Sequence, residues 1–198
     1  MSDLLSHLEG TMTATPPDTE TNNDPDHNAK VQISLIAGYK PDGEAIIESV
    51  TVERLQSPND SATIQNQGEL YRLSGSPAFV RGLAAGDRIR FPSESPSGYE
   101  LIKRSGNLSI RVLRKQGIEE ILQSLTPEIE LLDGVLDLET PRLLVYSIHV
   151  SIGFQAIEIL LDRICGQFPG TLWYYGNVYD PEDGVTPLDW WQEFLAPV

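Results

Sequence analysis

Groups able to do chemistry are few in this sequence, and their spacing limits what each can do. Nucleophilic catalysis needs a general base beside its Ser, Cys or Thr, most often a histidine. Of the three histidines, His7 and His27 fall in a polar N-terminal stretch. His149 remains, alternating with Val145 and Ser147 on the face opposite Tyr146, Ile148 and Val150. A mid-strand histidine in that pattern is more often a hydrogen-bonded structural residue than a base. The one cysteine, Cys165, sits among Ile159, Leu160, Leu161 and Ile164, where apolar neighbours raise a thiol's pKa and suppress the thiolate. One cysteine and one histidine outside the N-terminal stretch do not complete a tetrahedral zinc site. Asp180-Pro181-Glu182-Asp183-Gly184 offers carboxylate oxygens without the EF-hand spacing and reads as an acidic turn. Glu119-Glu120 suits the first turn of a helix, where the dipole favours acids. The general abundance of Asp and Glu does not single out a glycosidase-type pair. The expectation is a protein with no metal, no cofactor and no catalytic residue.

Charge and aromatic content carry more information. The net charge of −15 and a pI near 4.4 disfavour nucleic acid and anionic membranes as the main partner. All 14 Lys and Arg lie within residues 30–163, so residues 1–29 and everything after Arg163 are free of basic side chains. In the last stretch Asp180, Glu182, Asp183, Asp189 and Glu193 interleave with Trp173, Tyr174, Tyr175, Tyr179, Trp190 and Trp191. An anionic surface carrying large rings suits a cationic protein. The candidate partner-binding residues are Trp173, Tyr175, Tyr179, Asp180, Glu182, Asp183, Asp189, Trp191 and Glu193. On a short C-terminal helix Trp190 and Phe194 turn to the core, which leaves Trp191 as the ring open to a partner. Residues 81–115 run the other way, with eight bases (Arg81, Arg88, Arg90, Lys103, Arg104, Arg111, Arg114, Lys115) against three acids. A small anion fits such a stretch, although bases alternating along strands ordinarily mark a solvated sheet face.

The elements that must position these residues follow from periodicity. Residues 1–29 are polar, acidic and Pro-containing, the composition of a disordered tail, with Leu4, Leu5 and Leu8 forming at most one helical turn. From Lys30 the pattern is period two: Val31, Ile33 and Leu35 alternate with Gln32 and Ser34. Lys40-Pro41-Asp42-Gly43 is turn chemistry. Further strands are predicted over residues 46–55, 69–73, 88–91 and 99–103, spaced as in a small bent antiparallel sheet or partial barrel. The second half changes grammar. A strand over 108–115 precedes a helix opened by Gly117, with Ile118, Ile121, Leu122 and Leu125 on one face and Pro127 as its limit. Strands follow over 129–138 and 143–150. A helix over 153–165 has Ser151 as N-cap, Gly166 beyond its end and Phe154, Ile157, Leu161 and Ile164 as its stripe. A last strand spans 172–179. This β-α-β-β-α-β order is the ferredoxin-like split βαβ unit. The fold class is α+β. A disordered tail (1–29), a β-rich subdomain (30–105), a ferredoxin-like subdomain (106–180) and an acidic-aromatic C-terminal segment (181–198) follow in order.

The stretch Gly75-Ser76-Pro77-Ala78-Phe79-Val80-Arg81-Gly82-Leu83-Ala84-Ala85-Gly86-Asp87 resembles the Pro-hydrophobic-Phe-x-x-Gly-hydrophobic-Ala-x-Gly-Asp segment of a bacterial domain-of-unknown-function family. Ser105-Gly106-Asn107-Leu108-Ser109-Ile110-Arg111-Val112 resembles that family's next segment. The resemblance covers about residues 45–180 and implies a β-rich half before a ferredoxin-like half. It brings no activity, so no catalytic residue carries over, and the acidic tail departs from the compact members. Read physically, Gly82 and Gly86 allow tight turns around an apolar plug, Leu83-Ala84-Ala85, and Asp87 is placed to cap or to pair with Arg81 or Arg88. The segment is neither a dinucleotide fingerprint nor a phosphate loop: the third Gly and the Gly-Lys-Ser/Thr ending are missing.

These features lead to a non-enzymatic binding protein. Specifically, the sequence favours a bacterial immunity protein or inhibitor that occludes a basic toxin or enzyme, since acidic inhibitors of basic enzymes gain fast association by steering. The alternative is a domain sensing a small anion or metabolite through the ferredoxin-like sheet and residues 81–115. A carboxylate-only enzyme is a weaker third. A single cysteine, no signal-peptide pattern and no apolar run near ~20 residues point to a cytoplasmic protein.

Overall fold

The computed structural model describes residues 30–55, 68–91 and 98–195. The expectation for the tail 1–29 lies outside the described residues. Period-two alternation in the first half builds a five-stranded antiparallel meander: β1 (Lys30–Tyr39), β2 (Ala45–Leu55), β3 (Leu70–Leu73), β4 (Arg88–Arg90) and β5 (Glu100–Lys103). Val31 pairs with Val52 and Ile33 with Val50, so one face collects the apolar side chains. Leu35, Val50, Val52, Tyr71, Leu73 and Ile89 form its core, closed by Val80 and Leu83 from the loop between β3 and β4. The sheet runs in chain order with β1 and β5 at its edges, so it is open and not a closed barrel.

The second half is β6 (Asn107–Leu113), α1 (Ile118–Glu130), β7 (Val135–Glu139), β8 (Leu143–His149), α2 (Phe154–Cys165) and β9 (Leu172–Tyr175). Its four strands lie antiparallel in the order β7-β8-β6-β9. That is the ferredoxin-like arrangement, an α+β fold as expected. A 3-10 turn (Val150–Ile152) precedes α2, and a short α3 (Gln192–Leu195) closes the described chain. Leu108, Ile110, Val112, Leu144, Tyr146 and Ile148 face the helices, where Ile121, Leu125, Ile129, Ile157 and Leu161 meet them in the larger core.

Several boundaries differ from the sequence expectation. Pro127 does not limit α1, which runs on to Glu130. An interior proline costs a helix ~3 kcal/mol, but the extra turn buries Ile129 completely, recovering roughly 1.5–3 kcal/mol. The strand expected over 129–138 is thereby confined to 135–139. Ser151 is not the cap of α2. That position is Gly153, at φ 89, a backbone conformation that favours glycine; Ser151 instead bonds back to His149 Nδ1. The last strand ends at Tyr175, not 179. Beyond it the side chain of Asn177 takes over the ladder, accepting from Ser109 N at 2.9 Å and donating to Asn107 O at 2.8 Å.

The helix-free face of the second sheet carries buried Ser109, Arg111 and Ser147 beside Leu143 and Val145, which pack on Ala78 of the loop 74–87 that covers it. Arg111 stands there, 1% exposed, donating through Nη2 to Val80 O at 2.6 Å and Pro77 O at 3.3 Å. Its guanidinium carbon lies 5.7 Å from the Tyr174 ring centre. Gly176 runs so close above it that a Cβ there would approach Arg111 Nε and Cζ to 3.0 Å. From the other side the Glu48 carboxylate accepts the consecutive N–H groups of Ala78, Phe79 and Val80 at 2.5, 2.8 and 2.9 Å. Asp87, 1% exposed, pairs with neither Arg81 nor Arg88. It accepts from Ala84 N, Ser105 N and Ser105 Oγ, with Arg104 at 3.8 Å. The loop thus belongs to the first sheet by sequence and to both by contact.

Two substitutions test the larger core and the junction between the sheets separately. Leu161→Ala, on the α2 stripe and 0% exposed, should destabilise by roughly 2–5 kcal/mol, the usual cost of a core cavity. Arg111→Ala should lose a comparable amount, about 2–5 kcal/mol, because it leaves a void and strands the Pro77 and Val80 carbonyls. Urea unfolding midpoints measure both; a change below about 0.5 kcal/mol, the range of surface substitutions, would contradict the packing described.

Candidate partner-binding surface

The loop 74–87 delivers Arg81 to the surface between its anchors on Glu48 and Asp87. Gly82 N donates to Gly176 O at 2.8 Å, which brings Arg81 beside the chain leaving β9. That chain makes a tight acidic turn. Asp180 N donates to Thr186 O and Gly184 N to Asp180 O, both at 2.8 Å, and Tyr179 bridges to Pro187. Asp180 Oδ1 accepts from Glu182 N at 2.7 Å. Asp183 Oδ1 accepts from Val185 N and Thr186 N at 2.8 and 2.9 Å, and Oδ2 from the Thr186 hydroxyl. The bonds from Thr186 hold the Asp183 carboxyl below the ordinary carboxylate range. The acidic turn expected from sequence is therefore built by its own aspartates, with oxygen lone pairs left over.

Two clefts flank this turn. One, of about 410 Å³, is lined by Arg81, Tyr174, Tyr179, Asp180 and Asp183. The other, of about 590 Å³, lies between the end of β1 and the turn, with Tyr39, Tyr99, Arg81, Pro181 and Glu182 on its walls. Arg81 borders both and donates to Pro181 O at 3.5 Å. Among the described residues, Asp180, Glu182, Asp183, Asp189 and Glu193 form no ion pair.

The structure divides the residues singled out from sequence. Tyr179, Asp180, Glu182 and Asp183 come together on the exposed turn. Trp173 and Tyr175 point to the helix side: the Trp173 indole N–H donates to Asp162 of α2 at 2.9 Å, and Tyr175 is buried with its ring 5.5 Å from Phe154. Trp191 is half-buried, 5.2 Å from Phe154, so the ring expected to remain open is packed on the larger core. Trp190 is also half-buried; it donates from Nε1 to Asn177 O at 2.7 Å and lies under Arg104 at 5.1 Å. Asp189 and Glu193 are exposed at the start of and within this C-terminal segment. Alternation along β9 explains the split. Trp173 and Tyr175 share the helix face, whereas Tyr174 pairs with Arg111 in the ladder and shares its face. It is Tyr174 that reaches the cleft.

The other chemical candidates are engaged elsewhere. Burial pushes the Cys165 thiol up to about 11. His149 meets Ser151 through Nδ1 at 2.8 Å and packs edge-on to Phe194. The bases of residues 81–115 do not all converge. Arg88 and Lys103 are exposed cross-strand neighbours on the first sheet, with Arg88 also opposite Arg72, whereas Arg104 donates to Gly82 O, Arg111 is buried rather than on a solvated face, Arg114 binds Gly117 O and Glu120, and Lys115 is exposed on a different element. Among the described residues no helix is long and apolar enough to cross a membrane.

A polar cluster without a sequence signal joins the two sheets. Ser76 Oγ and Ser147 Oγ lie 2.7 Å apart, Ser147 Oγ donates to Asp137, and Ser76 N donates to the same carboxylate at 3.0 Å. Burial raises the Asp137 pKa, more than these bonds lower it. A carboxyl whose folded pKa is raised contributes stability that is full below its unfolded pKa and lost as pH rises through the folded value. The penalty of Asp137→Asn should therefore be larger near about pH 4 than near about pH 7. Urea unfolding at both pH values checks this, and a penalty that grows with pH would reverse the assignment.

No curated protein matches the chain. A solved structure described as "Novel crystal structure of a hypothetical protein from Neisseria gonorrhoeae" is similar over 76% of this chain and 96% of that one, with 16% identity and a TM-score of 0.52. At that identity the likeness is one of fold. The loop that builds the junction, both helices of the second sheet and the strands between them all fall within residues 61–168, which match the domain of unknown function DUF4265 over more than half the sequence, and the chain belongs to that family.

Proposed function

We infer that this chain is a non-catalytic binding protein that docks a cationic protein partner on its acidic C-terminal end, as an immunity protein or inhibitor occluding a basic toxin or enzyme. The observation that carries this reading is that Asp180, Glu182, Asp183, Asp189 and Glu193 form no ion pair among the described residues. The nearby arginines offset them only in part: Arg81 sets one charge against Asp180, Glu182 and Asp183, and Arg104 lies against Asp87 and the Trp190 ring. Unpaired surface carboxylates cluster their potential and steer a partner of opposite charge. The inward setting of Cys165 and the local engagement of His149 support a role without covalent chemistry.

The test is affinity capture from host cells, followed by association kinetics with the captured protein. Glu182→Gln, Asp189→Asn and Glu193→Gln are suitable together: these side chains are exposed and Asn tolerates the positive φ of 56 at position 189. The triple variant should slow association by roughly tenfold and change dissociation far less. Raising salt from about 0.1 M to about 1 M, which cuts the Debye length from ~10 Å to ~3 Å, should mimic it. Association rates independent of both salt and substitution would remove the acidic end as the docking site.

A further inference from the structure

We propose that the two clefts flanking Arg81 act as one groove for a basic loop or tail of the partner, with a single Lys or Arg side chain entering the cleft of Tyr174, Tyr179, Asp180 and Asp183. This rests on the reading of a cationic partner and adds where that partner's charge is received. The clefts are of ligand-accommodating size, about 410 and 590 Å³, and both border the same turn and the same arginine. Their walls carry rings that burial elsewhere in the chain would normally claim: Tyr174 is 39%, Tyr179 41% and Tyr39 62% exposed. Exposed tyrosines gathered around concave surface mark protein interfaces.

Charge decides which occupant fits. Asp180, Glu182 and Asp183 border the groove together with Arg81, and the buried Arg111 guanidinium lies beneath Tyr174 and Gly176, so three carboxylates stand against two cations and the local charge stays negative by one. An anionic ligand is disfavoured there, whereas a cation meets the carboxylate oxygens and the Tyr179 ring, the pairing that recognises Lys and Arg. Arg81 already shows that a guanidinium rests against the turn, on the Pro181 carbonyl. The turn's own bonds to Asp180 and Asp183 hold these carboxylates in place before the partner arrives, which lowers the ordering cost of binding.

N-acetyl-trilysine amide is a sufficient probe, titrated into the full chain and followed by amide chemical shifts. The shifts should centre on Tyr174, Gly176, Tyr179 and Gly184. Joint Tyr174→Ala and Tyr179→Ala substitution should weaken binding roughly tenfold. Glu119→Gln, which removes one charge on α1, should leave it within about twofold. Shifts centred on α3, with Glu193→Gln weakening binding and the tyrosine pair having no effect, would overturn the groove while leaving the cationic-partner reading intact. Equal binding of the same peptide with its lysines acetylated, or no binding at all, would overturn both. The wild-type shift footprint decides the site even if the double variant loses its fold.

Discussion

A buried cation with no carboxylate beside it organises this molecule. Arg111 is 1% exposed on the helix-free face of the second sheet, and among the described residues no acid pairs with it. Removing a guanidinium from water costs several kcal/mol unless its donors are satisfied. Here the compensation is partial: Nη2 donates to the backbone carbonyls of Pro77 and Val80 with the Tyr174 ring alongside, while the buried Nε meets no acceptor among the described residues. Those carbonyls are available because the loop 74–87 leaves the first sheet, crosses to the second and returns. The loop's N–H groups face the other way and are held by Glu48. One short segment thereby solvates a cation on one side and an anion on the other.

The candidate surface is a consequence of that junction. Because the loop lies on the second sheet, β9 cannot extend past Tyr175, and Gly176 must pass over the guanidinium without a side chain. The buried Asn177 keeps the departing chain registered to β6. Only then does the chain turn back at residues 180–184 and place its carboxylates beside Arg81. The aromatic residues divide by the same geometry. Those on the helix face of β9 are absorbed into the core, and Tyr174 and Tyr179 are left for the cleft.

On the function proposed above, two contributions to recognition would differ in kind. The unpaired carboxylates would act at range and set how fast a partner arrives, an effect that salt screens over about 10 Å. The tyrosines would act at contact and set how long it stays, as buried rings at interfaces do.

The amino-acid sequence by itself determined what local periodicity encodes. The alternation of Val31, Ile33 and Leu35, the stripe of Phe154, Ile157, Leu161 and Ile164, and the order of strands and helices over 107–180 were sufficient for a bent antiparallel sheet or partial barrel followed by a ferredoxin-like unit; that the first sheet is an open meander was decided by its pairing. Net charge and the absence of bases after Arg163 located the acidic end. Tertiary structure decided the rest, because it depends on which faces become covered. Arg111 reads as a solvated strand residue until the loop carrying Val80, 31 positions earlier, folds over it. Trp191 reads as open until Phe154 meets it. Pro127 reads as a stop until burial of Ile129 offsets the missing N–H. Each outcome depends on contacts between elements, and no spacing rule within one element carries that information.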